Sequence, residues 1–454
     1  MNAKALTIIK PFNIMDFMFV LLFLIGCTPK LHKRSPLPYT PQGSFLGQKI
    51  HSPNFPLQRN CANFYILGML FEQAIAHQIP NYTKESDSAY GETLAPLSYK
   101  EELKVKNDAI REFWDVNRLP RNPQPVTASP MPRNYRTTSK RRVDMQPGDL
   151  RFNEYDSILE PEEHNAIYRL LFDKLITPPY KPLAYALNWI IIRGTYKYRV
   201  VIFNIKKIDA AIVRKLKQIA EILQKSPYHV TAAHAYIDTT ESDYYLEAKR
   251  PTEGLSFKQL FGPRELTLNL GHFSLKYPAT GFSQVNESQI HNLIKAAGRL
   301  LSLTREDNFL DLYCGYGLFS FALGEAAKSV LGVEMEGPSI ECAKASAKYL
   351  KKNYRFVAGK IDENFVQTRL PRPVAGEPEK ILLDPPRKGC EPGVIHALAM
   401  RKPVRVCHVF CGTDEIPASI KEWERYGYRV KEVQPLDLFP GTPHLETIVA
   451  LERK

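Results

Sequence analysis

Apolar and polar positions follow two different rhythms along the chain, and the change of rhythm divides it. After Pro278, apolar runs of strand length recur at 309–314, 330–334, 355–358, 380–384, 404–410, 428–438 and 444–452, and helical or connecting stretches separate the first six. Just before them, residues 290, 293, 294, 297, 300 and 301 are apolar at the spacing of one helix face. This alternation predicts a doubly wound, Rossmann-like α/β domain over 276–454 with a largely parallel sheet of seven strands. The last two strands are joined only by Pro440-Gly441-Thr442-Pro443 and its neighbours. That is too short for a parallel crossover, so the seventh strand is expected to run antiparallel to the sixth.

From about 96 to 275 helix and strand patterns mix, as expected of a central α+β domain. Ser98 to Trp114 reads as a helix whose apolar stripe holds Leu103, Val105, Ala109, Ile110 and Phe113. Trp189–Arg193 and Tyr198–Ile205 are β-rich runs able to pair across Gly194-Thr195, and Ile208–Leu223 is an amphipathic helix. Residues 1–95 are expected to form an irregular, partly disordered extension, because 28–95 is rich in Pro, Ser, Asn and Tyr without sustained periodicity.

Composition narrows the class. With 454 residues, 44% hydrophobic and 24% charged, the chain suits a soluble globular protein of two or three domains rather than a disordered or fibrous one. A net charge of +13 makes a polyanion the natural partner. The run from Arg133 to Arg142 holds Arg133, Arg136, Lys140, Arg141 and Arg142 with Tyr135 between them. Such a run suits phosphate contact and base stacking, or simply a solvated face. Seven cysteines without a CxxC indicate neither a disulfide framework nor a zinc site, and point to a reducing, cytoplasmic setting. One segment opposes this: Lys4 and Lys10 precede the apolar run Phe17–Ile25 and then Gly26-Cys27, the layout of a short signal peptide with a lipidation-type cysteine. Membrane tethering is therefore the minor alternative, beside a buried N-terminal helix or a start codon placed too early.

Candidate chemistry gathers at the predicted strand ends. Asp311-Leu312-Tyr313-Cys314-Gly315-Tyr316-Gly317 closes the first strand with two glycines that let the backbone approach a ligand. Glu334 ends the second strand, where a carboxylate can hold a ribose. The ligand is a dinucleotide or S-adenosylmethionine; Phe319 or Ser320 replaces the third glycine that a pyrophosphate requires, which favours the latter. Asp384-Pro385-Pro386-Arg387 ends the fourth strand. Because Arg387 offers no aromatic face for an exocyclic amine, an amino nitrogen is a poor target.

With Gly281-Phe282-Ser283-Gln284-Val285-Asn286, Asp384 to Gly389, a cysteine ending strand five, and Phe439-Pro440 to His444-Leu445-Glu446-Thr447, the chain resembles the RNA (uracil-5-)-methyltransferase family, which makes 5-methyluridine in tRNA and rRNA. The resemblance implies that Gln284, Tyr313, Glu334 and Asp384 bind S-adenosylmethionine with the Gly315 and Gly317 turn, that Cys411 is the nucleophile and that Glu446 is the base. It also implies that Tyr135 and Arg136 contact a structured RNA. The chemistry needs such a pair: a thiolate adds to C6 of uracil so that C5 can attack a methyl group, and a base then removes the C5 proton.

Departures also stand in the sequence. In the family the nucleophile follows a serine and precedes Asn-Pro, whereas here the run is Val409-Phe410-Cys411-Gly412-Thr413. Leu318 stands where many relatives carry a polar residue, and Cys390 is a competing thiol. A non-catalytic RNA-binding protein that keeps the fold is the rival reading. His444 has no second ligand at useful spacing, Cys27 and Cys61 cannot supply a four-cysteine iron–sulfur cluster, and neither metal nor cluster is expected. A monomer is expected.

Overall fold

In the computed structural model the described residues are 68–80, 82–83, 90–146, 149–152, 157–238, 257–335 and 337–454, all within one unit, Tyr65–Lys454. The run ending at Cys27, and Cys61, lie outside them.

The first helix is α1 (Phe71–His77), followed by α2 (Tyr99–Val116). α2 begins where Ser98 Oγ accepts from Glu101 N at 3.3 Å and Glu101 Oε2 accepts from Ser98 N at 3.1 Å, a reciprocal cap. The central region then supplies β1 (Thr138–Gln146), β2 (Asp149–Phe152), α3 (Glu162–Leu175), α4 (Lys181–Ala186), β3 (Leu187–Gly194), β4 (Arg199–Ile205), α5 (Ala210–Lys225), β5 (Val230–Ile237) and β6 (Phe257–Phe261). These strands form a six-stranded sheet in the order β2-β1-β3-β4-β5-β6. β3 and β4 pair antiparallel across the expected turn, while β5 returns parallel to β4 through α5. One face of this sheet packs Ile190, Ile192, Val201 and Phe203 among Ile167, Leu171, Leu216 and Ile219 of α3 and α5. The other packs Trp189, Ile191, Val200 and Ile202 with Leu266 and Leu275 of the hairpin β7 (Glu265–Asn269) and β8 (Ser274–Pro278).

The C-terminal region runs α6 (Ile290–Leu301), β9 (Asn308–Leu312), α7 (Leu318–Leu323), β10 (Ser329–Glu334), α8 (Pro338–Tyr349), β11 (Arg355–Ala358), α9 (Glu363–Thr368), β12 (Glu379–Leu383), α10 (Val394–Met400), β13 (Arg405–Phe410), α11 (Ile416–Arg425), β14 (Tyr428–Leu436) and β15 (Glu446–Arg453). All seven expected strands form one sheet in the order β11-β10-β9-β12-β13-β15-β14, with β15 antiparallel to both neighbours. Alternate strand residues serve opposite layers, as the period of two requires. Leu310, Leu312, Ile381 and Leu383 enter one core, and Phe309, Leu382 and Val409 enter the other against Leu293, Ala297 and Leu300 of α6.

Two expectations are corrected. The stretch up to residue 95 is not irregular throughout: α1 forms there, with Phe71 edge-on to Phe113 at 5.9 Å between ring centroids. α2, read from sequence with the central region, packs instead with the C-terminal sheet, where Ala109, Ile110, Phe113 and Trp114 share a core with Ile416, Ile420, Trp423 and Val433. Its apolar stripe has to be buried somewhere, and the C-terminal layer is what covers it. Among the described residues no helix is long and apolar enough to cross a membrane.

Candidate active site

The strand order reverses between β9 and β12, and in such sheets ligands bind at the carboxyl edge beside that reversal. The turn after β9 is tightly wound. Tyr313 takes the left-handed φ of 62°, costly for a bulky residue, and Gly315 and Gly317 follow at 56° and 90°. A Cβ at Gly317 would meet the Phe321 ring at 2.7 Å, whereas one at Gly315 would meet nothing within 4 Å, so the backbone there borders open space. Glu334, at the end of β10, accepts from Gly315 N at 2.9 Å through one oxygen and from Met335 N at 2.8 Å through the other.

Two polar atoms in this corner are buried without a hydrogen-bond partner: Asp311 Oδ1 and the Tyr313 hydroxyl. The other Asp311 oxygen accepts from Ser320 Oγ at 2.5 Å. Burial pushes the Asp311 carboxyl up to about 7 against the pull of Ser320. Unsatisfied donors and acceptors at a strand edge suit a polar ligand, and with the open space at Gly315 and the Glu334 carboxylate they fit an adenosyl group. Gln284 lines a cleft with Ser283, Tyr277, Thr137 and Tyr316, and Tyr316 lies near enough to Asp384 to feel its charge.

Asp384 follows β12, Cys411 follows β13, and Glu446 opens β15 from the opposite direction, so all three reach the same edge. The pairing of β13 with β15 ends with Phe410 opposite Thr447. The next residues on the two strands are Cys411 and Glu446. Glu446 is 2% exposed, Cys411 is half-buried and Arg387 is exposed beside them. Burial and then the Glu446 charge push the Cys411 thiol up to about 12, while the Arg387 guanidinium opposes both. Burial and then Asp384 hold the Glu446 carboxyl well above the usual range, again opposed by Arg387. Asp384 is raised by burial and by Asp311 and Glu334. The edge thus brings crowded carboxyls, the Cys411 thiol and the Arg387 guanidinium together, an arrangement able to exchange protons and to hold a positively charged ligand.

A model of the tRNA (uracil-5-)-methyltransferase family matches residues 217–454, just over half of the chain. The chain belongs to that family. An uncharacterized RNA methyltransferase of Clostridium acetobutylicum is 36% identical over 203 residues, covering 43% of this chain and 44% of the relative, so the likeness spans less than half the relative's length. Another, of Clostridium tetani, is 24% identical over 429 residues, 90% of each chain. The crystal structure of Pyrococcus abyssi tRNA (uracil-54, C5)-methyltransferase, in complex with S-adenosyl-L-homocysteine, shares the fold with a TM-score of 0.58 at 18% identity, covering 80% of this chain and 85% of that one.

Within the basic run Arg141 is buried, Arg133, Arg136 and Lys140 are half-buried, and Arg142 is exposed. Tyr135 is 0% exposed and its hydroxyl donates to Pro440 O at 3.0 Å, so it does not offer a ring for a base to stack on. Arg136 lies over the Tyr90 ring, 3.9 Å from the centroid. Arg133 pairs with Glu102 at 3.0 Å, and Arg141 is buried against Glu160 at 2.8 Å. Cys390 stands 3.9 Å from His408 Nε2 and beside Tyr313, and burial pushes its thiol up to about 12. His444 packs edge-on to Phe439, and burial followed by the Arg387 charge pulls it down to about 4. Among the described residues no group of three or more His, Cys, Asp or Glu is placed to hold a metal. Arg387, which the sequence marks only as a non-aromatic residue after Asp384-Pro385-Pro386, stands in the structure against both Cys411 and Glu446.

Proposed function

We propose that the protein transfers a methyl group from S-adenosylmethionine to C5 of a uridine in a structured RNA, tRNA or rRNA, through a covalent bond between Cys411 and C6. The observation that carries this reading is the register that brings Cys411 opposite Glu446 at the edge holding Asp384 and Arg387.

Gln284, Tyr313, Gly315, Gly317, Glu334 and Asp384 would hold the cofactor, whose sulfonium supplies an electrophilic methyl group. Arg387 favours the Cys411 thiolate, which adds to C6 of uracil and turns C5 into an enolate-like carbon. C5 would then bond to the methyl carbon as the methyl–sulfur bond breaks, the electron pair staying on the sulfur of the S-adenosylhomocysteine that leaves. Glu446 as carboxylate takes the C5 proton, the electron pair reforms the C5–C6 double bond, and the sulfur of Cys411 leaves as thiolate. Arg387 beside the thiol and its exposed chain neighbour Lys388 supply cations for RNA phosphates, and Phe282, 61% exposed on the Gly281–Asn286 loop, an aromatic face. A uridine within a fold has to be flipped out to reach this edge.

Nucleoside mass spectrometry on separated tRNA and rRNA from cells with and without the gene tests the proposal. Loss of 5-methyluridine from one pool names the substrate class. No change in either pool would favour an RNA-binding protein without turnover.

A further inference from the structure

β14 ends at Leu436 and β15 begins at Glu446, and the segment between them has no regular structure of its own. Its backbone is held by residues remote in sequence. Gln289 Nε2 donates to Asp437 O at 3.0 Å and Asn286 Nδ2 to Leu438 O at 3.2 Å. Lys106 Nζ donates to Phe439 O at 3.2 Å and the Tyr135 hydroxyl to Pro440 O at 3.0 Å. Gly441 N donates to Glu102 Oε1 at 2.5 Å and Gly441 O accepts from Leu94 N at 3.0 Å.

At the centre is a buried ion cluster. Lys106 Nζ donates to Glu102 Oε1 at 2.8 Å and to Asp437 Oδ1 at 2.7 Å, and all three side chains are 0% exposed. Arg133 pairs with the other Glu102 oxygen, and the Tyr99 hydroxyl donates to Asp437 Oδ2 at 3.2 Å. Two acids therefore meet two bases, and the charges balance. Buried ion clusters add little net stability compared with well-packed apolar residues of similar volume. What this one does supply is direction: an ammonium with fixed partners sets where Asp437 and Phe439 lie, and with them the entry into β15.

We propose that Lys106 is a positioning residue for Glu446: with Glu102 and Asp437 it fixes the 437–445 segment so that the Glu446 carboxyl stays against Cys411. This rests on the reading of Glu446 as the base. Addition of the thiolate and methyl transfer do not use that base, but elimination does. A displaced Glu446 therefore leaves the methylated RNA bonded to Cys411.

The full chain carrying Lys106→Met, Tyr135→Phe or Glu446→Gln is compared with the unsubstituted protein, using RNA from cells that lack the gene. The readouts are kcat, KM for RNA, binding of S-adenosylmethionine, and protein–RNA complex that survives SDS. Glu446→Gln sets the reference for trapped complex. Lys106→Met is expected to lower kcat about 100-fold, the scale of a misplaced reacting group, with KM and cofactor binding near those of the parent and with trapped complex. Tyr135→Phe removes one tether without a buried charge and is expected to act in the same direction, more weakly. If Lys106→Met no longer binds the cofactor, Tyr135→Phe decides by the same readouts. Normal kcat in the folded variant, or lost turnover without trapped complex while Glu446→Gln traps it, overturns the positioning role. Absence of trapped complex in Glu446→Gln overturns the base assignment instead.

Discussion

Cys411 and Glu446 come from strands that run in opposite directions, yet each is the residue next beyond the Phe410–Thr447 pair that ends the β13–β15 ladder. The register alone brings a thiol and a carboxyl together at the edge where β9, β10 and β12 also end. Replacing Cys411 with Ala is expected to abolish turnover and trapped complex while leaving cofactor binding unchanged. Calorimetry with S-adenosylmethionine checks the second half of that statement.

Arg387 opposes the upward shift of both Cys411 and Glu446. Arg387→Gln should therefore leave thiol and carboxyl protonated to higher pH. The rising limb of the kcat profile is expected to move up by about one pH unit, with activity at pH 7 down about tenfold. An unmoved limb would remove Arg387 from nucleophile activation.

Asp311 is a buried acid whose folded value is raised to about 7. Its contribution to stability is full below the ordinary value of the unfolded chain and is lost as pH rises through 7. Asp311→Asn keeps an acceptor for Ser320 and removes the charge. In cofactor-free protein it is expected to raise stability at pH 8 by on the order of a few kcal/mol, with the gain shrinking toward pH 5. Thermal unfolding at both pH values measures this, and a gain that grows on acidification would contradict it.

Gly412 stands where the family resemblance implies Asn, and the structure is close-packed there. A Cβ there would lie 2.9 Å from the Arg387 carbonyl oxygen. Gly412→Asn is expected to cost about 1–3 kcal/mol and to lower kcat by shifting the Pro385–Arg387 loop. Unchanged melting with higher kcat would show that the loop yields freely.

The seven-strand sheet was legible because strand length, alternation and the short 437–445 connection each limit what the backbone can do. α1 was not: seven residues form a helix here because Phe71 packs on Phe113 and its N–H donates to Asp414 at 2.7 Å, contacts that no local pattern encodes. The basic run misled for a related reason. Arg133 and Arg141 carry the same charge on a surface or inside, and what decides is Glu102 and Glu160, which the fold brings to them. Lys106 is not among the apolar residues of its helix and its charge gives no local sign of burial, since Asp437 lies more than 300 residues away in sequence.

The central claim is C5 methylation of uridine through a covalent adduct, and release of tritium from RNA carrying 5-tritiated uridine tests it most directly. With S-adenosylmethionine labelled on the methyl group, the expected result is one tritium released to water for each methyl transferred, and neither with Cys411→Ala. Methyl transfer without tritium release, or full release in the Cys411→Ala variant, would contradict it.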